Sequence, residues 1–292
     1  VKMGLLHGKL FRVQVKDAIN NYKENVYKVY GLENGKKIFQ WALTTANFRE
    51  DIKVHAPHLL EEMQGIAKGA DVPLEDVILL NMFEEVFEAA PIRIGIEAKE
   101  FFGFGCTAFH VFREDGEKFN GQNIDFSSNF DLKPLLIRYK FPDKEILMAT
   151  FIGRVGGVGV NEKGLSVFAT SLPQGIKKEN SGLGAGFVLR LLLEQDSVDQ
   201  AVSLIKRIPR FGAMSFSLAD YQQSVMLETS ANEVISKPME QYPGFQCHTN
   251  HILWISSKNR IDLPGIFENG QPLPGEVSFY TQERLELAKG VM

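Results

Sequence analysis

The pattern of hydrophobic positions changes near residue 100 of the chain. Before that point, apolar side chains recur three and four residues apart, which predicts helices over residues 5–28, 46–69 and 74–87. The third of these segments follows Pro73, and proline is common at the start of a helix. The first hundred residues are therefore predicted to be mostly α-helical.

After Gly105, short apolar runs alternate with polar turns, as is typical of antiparallel strands. Hairpins are predicted for residues 106–112 with 119–125, 135–141 with 145–151, and 156–160 with 165–170. Further strands are predicted over residues 214–219, 225–230 and 233–237, which lead into the segment 246–251. The chain beyond Gly105 is thus predicted to form a meander of antiparallel strands.

Two helices interrupt this strand-rich region. Ser181 is a candidate cap for a helix over residues 182–194. Ser197 and Gln200 form a capping box that opens a second helix over residues 198–208. Both helices are expected to cover one face of a sheet.

The order of elements predicts an α+β fold with two antiparallel sheets packed face to face and helices outside. The chain has 292 residues with 44% hydrophobic content, enough for a substantial core. We therefore expect one globular unit made of a helical N-terminal segment, residues 1–105, and a strand-rich region, residues 106–292. A last helix is predicted over residues 281–289.

Charge and hydropathy exclude several classes of partner. The net charge is −4 and no cluster of lysine and arginine forms a basic stripe, so neither nucleic acid nor an anionic membrane is an expected partner. No uncharged apolar run approaches the length of a membrane span, and no signal pattern opens the chain. The two cysteines, Cys106 and Cys247, fit a reducing compartment and predict a cytoplasmic protein, although a bridge between them stays open. The chain opens on valine and stops in a predicted helix, which leaves the completeness of both ends open.

The junction between the helical and strand-rich parts holds a candidate nucleophile. Cys106 follows Gly105 directly and opens the first predicted strand. Glycine has no Cβ, so the Gly105–Cys106 bond can be approached closely by the thiol. Cleavage there would give Cys106 a free α-amino group, with a pKa of about 7.7 to 8, as a base for its own thiol. The alternative is an ordinary buried structural cysteine.

Other motifs fit the chain less well. Residues 103–108 match a Gly-x-Gly-x-x-Ala dinucleotide fingerprint, but a strand-like run follows instead of a helix. The glycines of 153–159 lack the Lys-Ser/Thr pair of a phosphate loop. No second Cys or His pair at zinc spacing accompanies the segment 247–251, so we expect neither a metal nor another cofactor. A papain-like pairing of Cys106 with His248 requires a nucleophile that opens a helix, whereas Cys106 opens a predicted strand.

Four ordered motifs resemble one known family. They are Gly-Cys-Thr at 105–107, Gly-Gln-Asn-Ile-Asp at 121–125, Gly-Val-Gly-Val-Asn-Glu-Lys-Gly-Leu at 157–165 and His-Thr-Asn-His at 248–251. Together they resemble the acyl-coenzyme A:6-aminopenicillanic acid acyltransferase family, also called the C45 peptidase family, of the N-terminal nucleophile hydrolases. The early segment 4–8, Gly-Leu-Leu-His-Gly, is similar to that family's N-terminus. The resemblance implies a four-layer α-β-β-α sandwich and a precursor that cuts itself before Cys106.

The resemblance also implies roles for three residues. Cys106 is the nucleophile, which attacks an acyl carbonyl and forms a thioester. Asp125 is the carboxylate that contacts the new α-amino group and adjusts its pKa. Asn250 donates its side-chain amide to the developing oxyanion. An ordinary turn residue is the alternative for both Asp125 and Asn250.

Four further residues match supporting positions of the family. Ser230 lies where the family has a serine close to the nucleophile, and Asn123 neighbours the strand that binds the amine. Arg284 resembles an arginine of a C-terminal helix. Gln122 is a departure, because relatives among the bile-salt and penicillin V hydrolases carry arginine there. Family members usually continue with further strands, so the resemblance implies an incomplete sheet edge.

The function implied is that of a self-processed amidohydrolase or acyltransferase acting on linear amides. The substrate is expected to be a small N-acyl amide or an acyl-CoA, and either water or a bound amine can accept the acyl group. The two fragments are expected to stay associated after cleavage, and a homo-oligomer is left open. The alternatives are an uncleaved homologue that binds a ligand or partner without catalysis, and an amidase similar to the bile-salt and penicillin V hydrolases.

Overall fold

The computed structural model describes residues 1–96, 105–125, 131–172, 181–239, 243–255, 267–268, 271–272 and 281–290. As predicted, the part before residue 97 is helical. Its elements are α1 (Lys2–Leu10), α2 (Arg12–Tyr30), α3 (Leu32–Thr44), α4 (Phe48–His55), α5 (Pro57–Ala70), α6 (Leu74–Asn81), a π-helical turn (Glu85–Ala89) and α7 (Ala90–Arg93).

The helices differ from the prediction in four places. The segment 5–28 divides at Phe11, the segment 46–69 divides at Ala56, and the helix predicted over residues 74–87 ends at Asn81, before the π-helical turn. Ala56 precedes a proline, and the proline ring disfavours the helical conformation for the residue before it. The helix α3 was not predicted because Asn34 and Gly35 interrupt its apolar pattern like a turn. Gly35 is tolerated there because the Tyr27 ring packs where its Cβ would lie.

The first helix is fixed to the rest of the molecule by close packing and one buried histidine. Gly4 and Gly8 of α1 face α5, and a Cβ on Gly4 would lie 1.9 Å from the carbonyl oxygen of Glu62. The Nε2 atom of His7 accepts a hydrogen bond from the backbone N–H of Gly153 at 3.0 Å. Burial lowers the pKa of His7 to about 4. The Gly-Leu-Leu-His-Gly segment therefore joins the helical part to the strand-rich part.

Two sheets make up most of the described remainder of the chain, and both are antiparallel. The smaller, three-stranded sheet has the order β10-β1-β2, and the larger, seven-stranded sheet has the order β3-β4-β5-β6-β7-β8-β9. The strands are β1 (Gly105–Phe112), β2 (Lys118–Asp125), β3 (Pro134–Lys140), β4 (Glu145–Phe151), β5 (Val158–Asn161), β6 (Ser166–Ser171), β7 (Met214–Ala219), β8 (Ser224–Thr229), β9 (Val234–Pro238), β10 (Gly244–His248), β11 (Phe267–Glu268) and β12 (Gln271–Pro272). The remaining helices are α8 (Ala185–Leu193), α9 (Val198–Arg207) and α10 (Thr281–Gly290).

The layers are packed in the predicted α-β-β-α order. Strand β1 contacts β6 and β7, so the two sheets face each other. Helix α8 packs on β5 and β6 of the larger sheet, and α10 packs on β1 and β10 of the smaller one. One hydrophobic core joins the N-terminal helices, the larger sheet and helices α8 and α9. The α+β fold class predicted from the sequence is confirmed.

The start of α8 corrects one prediction. The helix begins at Ala185, and Ser181 does not cap it. Leu183 instead pairs with Arg210 in an isolated bridge, which holds this stretch extended. Glu85 takes the place of the cap, because its carboxylate accepts a 2.7 Å hydrogen bond from the Ala185 N–H. The cap of α9 is confirmed, since Ser197 Oγ accepts from the Gln200 N–H.

Two expectations from the sequence concerned a disulfide between the two cysteines and membrane-spanning segments. Cys106 and Cys247 are both buried and free, so no bridge joins them. Within the described residues, no helix combines the length and apolar character needed to cross a membrane.

Three buried histidines predict loss of stability in mild acid. Burial lowers the pKa of His7, His110 and His251 to about 4 each. An unfolded chain binds protons on these rings below about pH 6.5, whereas the folded chain resists protonation until about pH 4. The free energy of unfolding should therefore fall as pH drops through this window, by about 3 kcal/mol per histidine at its lower end.

Urea unfolding at a series of pH values between 8 and 4.5 measures this effect. His7→Gln should flatten the pH dependence, because glutamine can still accept from Gly153 but does not titrate. The exposed His55 provides the matched control, and His55→Gln should leave the dependence unchanged. An identical slope in wild type and His7→Gln would contradict the prediction.

Candidate active site

Cys106 lies at the start of β1 with its side chain directed between the two sheets. Only 6% of the residue is exposed, and the alternation along β1 places Cys106, Ala108 and His110 on the buried face. His110 marks this face, because its Nε2 lies 2.8 Å from Ser217 Oγ of the larger sheet. Thr107 points to the opposite side, toward α10. The strand period therefore puts the thiol inside the sandwich.

Asn250 and Arg284 converge on the backbone of Cys106. Asn250 Oδ1 accepts a hydrogen bond from the Cys106 N–H at 2.6 Å and another from Arg284 Nη2 at 2.9 Å. Arg284 Nη1 donates to the Cys106 carbonyl oxygen at 2.6 Å and to Thr107 Oγ1 at 2.9 Å. Two donors thus fix the direction of the Asn250 amide. Its Nδ2 group is left to donate to the carbonyl oxygen and Oγ of Ser171, at 3.0 and 3.2 Å.

Two buried threonines hold Asn250 and Arg284 together. Thr249 Oγ1 donates to the carbonyl oxygen of Thr281, and the Asn250 N–H donates to Thr281 Oγ1 at 2.8 Å. Thr281 is the first residue of α10 and stands one helical turn before Arg284. Both threonines are fully buried. The start of α10 is therefore joined to the segment that carries Asn250.

A buried glutamate–histidine pair supports the same segment from the larger sheet. Glu228 of β8 lies 2.7 Å from Nε2 of His248, and both side chains are fully buried. The carboxylate also accepts hydrogen bonds from the backbone N–H groups of residues 253–255. Burial acts to raise the pKa of Glu228, but the hydrogen bond and charge of His248 outweigh it and hold that pKa below its usual value. The backbone on both sides of Asn250 is thus anchored.

Asp125 lies directly across from Gly105 in the pairing of β1 with β2. A Cβ on Gly105 would be 2.9 Å from the Oδ2 atom of Asp125. The absence of that atom therefore allows the carboxylate to lie beside the Gly105–Cys106 bond. Burial lowers the pKa of Arg284, and the nearby Asp125 charge acts in the opposite direction. Asp125, Asn250 and Arg284 thus surround the same peptide bond.

The thiol of Cys106 is protonated in this arrangement at neutral pH. Burial raises its pKa to about 11, against the effect of hydrogen bonds from Asn250 and Ser171 and of the Arg284 charge. Thiolate, not thiol, is the reactive form of cysteine. Removal of the thiol proton is therefore part of any reaction in which Cys106 is the nucleophile.

Gln122 connects the two sheets beside the thiol. Its side-chain amide donates to the carbonyl oxygen of Ala169 and accepts from the Ala169 N–H at 3.0 Å. It also lines a small pocket. Cys106, Ile124, Ser171 and other residues of β4 to β6 and α8 line the same pocket. Gln122 therefore shapes one wall of that pocket.

Two of the residues matched to family positions, Asn123 and Ser230, make contacts that do not involve Cys106. Asn123 is exposed and pairs with Thr107 on the face away from the thiol. Ser230 lies in the turn after β8, where its Oγ accepts from the N–H groups of residues 232 and 233. The serine that contacts Asn250 is instead Ser171. Sequence reasoning missed Ser171, and the residue has no local signal because it is simply the last residue of a strand.

Thr281 and Glu228 were also missed. Thr281 had a detectable signal, since threonine is a common residue at the start of a helix. Glu228 is an acidic residue within an otherwise apolar run, Val-Met-Leu-Glu-Thr, and such a residue requires a buried partner. Neither signal shows which residue the Thr281 or Glu228 side chain contacts.

Comparison with known proteins identifies a family for this chain. The profile of the family "Acyl-coenzyme A:6-aminopenicillanic acid acyl-transferase" matches residues 112–265, just over half of the chain. The match includes Gln122, Asp125 and Asn250 and begins after Cys106. A relative, the acyl-coenzyme A:6-aminopenicillanic-acid-acyltransferase 40 kDa form of Emericella nidulans, is 28% identical over 258 residues, which are 86% of this chain and 67% of that protein.

Two more distant similarities accompany it. Acid ceramidase of Bos taurus is 27% identical over 166 residues, which are 47% of this chain and 38% of that protein. Penicillin V acylase from Agrobacterium tumefaciens, a solved structure, is 16% identical with a TM-score of 0.28, over 49% of this chain and 43% of that one. By the match to the family profile, this chain belongs to the acyl-coenzyme A:6-aminopenicillanic acid acyltransferase family.

Proposed function

We propose that this protein is a self-cleaving cysteine enzyme that hydrolyses or transfers the acyl group of linear amides. Membership of an acyltransferase family supports chemistry on acyl groups. The observation that carries the proposal is the convergence of Asn250 and Arg284 on the N–H and carbonyl groups of Cys106. A cysteine with a structural role alone does not require its backbone to be held by a buried amide and a guanidinium.

In this proposal, self-cleavage at Gly105–Cys106 proceeds in two steps. The thiol attacks the Gly105 carbonyl carbon, its proton passes to the amide nitrogen, and the C–N bond breaks to give a thioester. Water then attacks the thioester, which releases the Gly105 carboxylate and returns the thiol. The Asn250 oxygen, which accepts the Cys106 N–H in the uncut chain, can hold the new amine afterwards. Asp125 is positioned to stabilise its positive charge.

The cleaved site can then process substrates through the same intermediate. The α-amine of Cys106 takes the thiol proton as the sulfur attacks the acyl carbonyl of a linear amide, so a free thiolate, which burial disfavours through a pKa of about 11 in the uncut chain, need not form first. Asn250 Nδ2 transfers one of its hydrogen bonds from Ser171 to the developing oxyanion. Water or a bound amine takes the acyl group from the resulting thioester.

The two fragments should remain associated after cleavage. Residues 1–105 contribute helices α1 to α7, and residues 106–292 contribute both sheets. One hydrophobic core contains side chains from both parts. Breaking one peptide bond at the edge of β1 leaves this buried contact intact.

Intact mass spectrometry of the purified protein tests the proposal. We expect two masses whose sum exceeds that of the uncut chain by one water, with Cys106 at the N-terminus of the larger fragment. Iodoacetamide should then label Cys106 in the cleaved protein. A single uncut chain with an unreactive Cys106 would instead support an uncleaved homologue that binds a ligand without catalysis.

A further inference from the structure

The larger sheet extends beyond the smaller one, so that part of its inner face, the face directed at the smaller sheet, is uncovered. Strand β1 packs on β6 and β7, β2 packs on β6, and β10 packs on β8. Among the described strands, β2 is the outermost strand of the smaller sheet on this side. The inner face of the larger sheet therefore continues past β2 onto β5, β4 and β3.

Strand pairing identifies the side chains on this uncovered part of the inner face. Ser217 belongs to the inner face because it contacts His110 of β1, and it pairs with Phe168 of β6. Ser166 lies two residues before Phe168 and so shares its face, and Ser166 pairs with Val160 of β5. Continuing this pairing across β5, β4 and β3 gives five apolar residues on the same face, which are Leu136, Leu147, Ala149, Val158 and Val160.

The uncovered side chains form a contiguous exposed surface. The larger ones, Leu136, Leu147 and Val160, are each at least 38% exposed. Ile124 of β2 is also exposed and faces inward, since it pairs with Cys106. Single exposed apolar residues are common, but contiguous ones mark binding surfaces. We call this surface, made of Ile124 and the five residues of β3 to β5, the apolar strip.

The apolar strip begins at the candidate nucleophile. Ile124, Ala149 and Val158 line the same pocket as Cys106. The volume of this pocket is about 80 Å³, far below the roughly 300 to 1,000 Å³ of pockets that hold drug-sized ligands. Only the part of a substrate next to its reacting carbonyl therefore fits in the pocket, and the remainder must lie along the adjoining surface.

The composition of the apolar strip favours an aliphatic ligand. Its six side chains contain no polar atom, and the charged Arg138 at its far border is paired with Glu145 at 2.5 Å. Strands lie about 4.8 Å apart and rise about 3.4 Å per residue, so the part of the strip on β3 to β5 covers roughly 10 Å by 7 Å. Several methylene groups can therefore leave water on it, and each one contributes to affinity.

We propose that the apolar strip binds the long aliphatic chain of an N-acyl substrate whose carbonyl end lies in the pocket at Cys106. This inference rests on the proposed function, since it names the class of acyl group that Cys106 would receive. Leu147 and Val160, which lie opposite each other on β4 and β5, are then specificity-determining residues. A short acyl group gains nothing from them, because it ends within the pocket.

Binding to the Cys106→Ala chain tests the inference without turnover. The apolar strip is exposed while Gly105 and Cys106 are still joined in β1, so binding requires no self-cleavage. The ligands are butanoyl, octanoyl and decanoyl glycinamide, which are neutral linear amides, measured by isothermal titration calorimetry below their micelle concentrations. We expect the decanoyl compound to bind at least about 30-fold more tightly than the butanoyl compound. Equal affinity for the two compounds would overturn the inference.

Two variants in the same Cys106→Ala chain locate the binding surface. Leu147→Asn and Val160→Asn each place an amide on the apolar strip and should lower the ratio of decanoyl to butanoyl affinity by about 10-fold. Both residues are exposed, so the fold should persist, which thermal unfolding checks. Val54→Asn, at an exposed valine of α4, is the matched control and should leave the ratio unchanged. Unchanged ratios in both strip variants would overturn the assignment to this surface.

Sedimentation velocity examines a second copy of the chain as the occupant of the apolar strip. We expect Leu147→Asn to leave the sedimentation coefficient unchanged. A dimer that this substitution converts to a monomer would overturn the inference, because the strip would then be an interface between copies.

Turnover by the wild type separates this inference from the proposed function. If the wild type neither cuts itself nor hydrolyses the glycinamides, while the Cys106→Ala chain still prefers the decanoyl compound, the proposed function alone fails. Hydrolysis of all three glycinamides with equal kcat/KM would support the proposed function and overturn the inference.

Discussion

Replacing Cys106 by alanine should leave the chain uncut and remove all activity on amides. The variant lacks the sulfur atom that, in the proposed mechanism, attacks both the Gly105 carbonyl and the substrate. The fold should survive, because the change removes a single buried sulfur atom while the backbone contacts to Asn250 and Arg284 remain available. Intact mass, an amide hydrolysis assay and thermal unfolding measure the three expectations. Cleavage at Gly105–Cys106 in this variant would exclude the mechanism.

The second cysteine provides a matched control. Cys247 is also buried and free, and burial raises its pKa to about 11 as well. It lies on β10 opposite Phe109, away from the contacts of Asn250 and Arg284. Cys247→Ala should therefore be cut and active like the wild type. Cys106→Ser should be cut slowly, since a hydroxyl is a weaker nucleophile than a thiol at neutral pH.

Replacing Asn250 by alanine should lower kcat by about 100-fold to 1,000-fold, equivalent to about 2.7 to 4 kcal/mol. In the proposed mechanism Nδ2 binds the oxyanion, which exists in the transition state and not in the bound amide, so its removal should act on the transition state. KM should change much less than kcat. Self-cleavage should slow as well, because the variant also loses the acceptor for the Cys106 N–H.

The kinetic comparison uses protein that has completed cleavage, so that slow processing is not mistaken for slow turnover. Asn250→Asp is informative because it keeps the oxygen that faces Cys106 and Arg284 but replaces the donor Nδ2. It should be as impaired in kcat as Asn250→Ala. Asn20→Ala, at an exposed position of α2, controls for the loss of an asparagine side chain. A kcat within twofold of wild type for Asn250→Ala would remove Asn250 from the proposed oxyanion site.

Much of the fold followed from local patterns. The change from helical to alternating periodicity near residue 100 is a local property, as are the turns that close the hairpins, and the structure has strands within two residues of the predicted limits for β1 to β4. The two errors have different causes. The α3 helix contains an Asn-Gly pair, and the segment before α8 is held extended by its long-range bridge to Arg210.

The candidate site was less predictable because its contacts join distant parts of the chain. Cys106, Asn250 and Arg284 could be named from motif resemblance, but their separation in sequence gives no distance between their side chains. Their meeting depends on the packing of α10 against the smaller sheet and on the bonds between Thr249 and Thr281. Ser171 belongs to the site only because β6 ends beside Asn250, which donates hydrogen bonds to it.

The sequence by itself determined the segregation of helices and strands, the junction at Gly105–Cys106 and the ordered motifs of the family, because periodicity, turn residues and motif spacing are written in neighbouring residues. Tertiary structure alone decided which polar groups meet. The register of β1 with β2 sets Asp125 across from Gly105, and the packing of α10 brings Arg284 to the carbonyl oxygen of Cys106. Such pairings depend on how layers pack across long sequence separations, which a linear pattern does not specify.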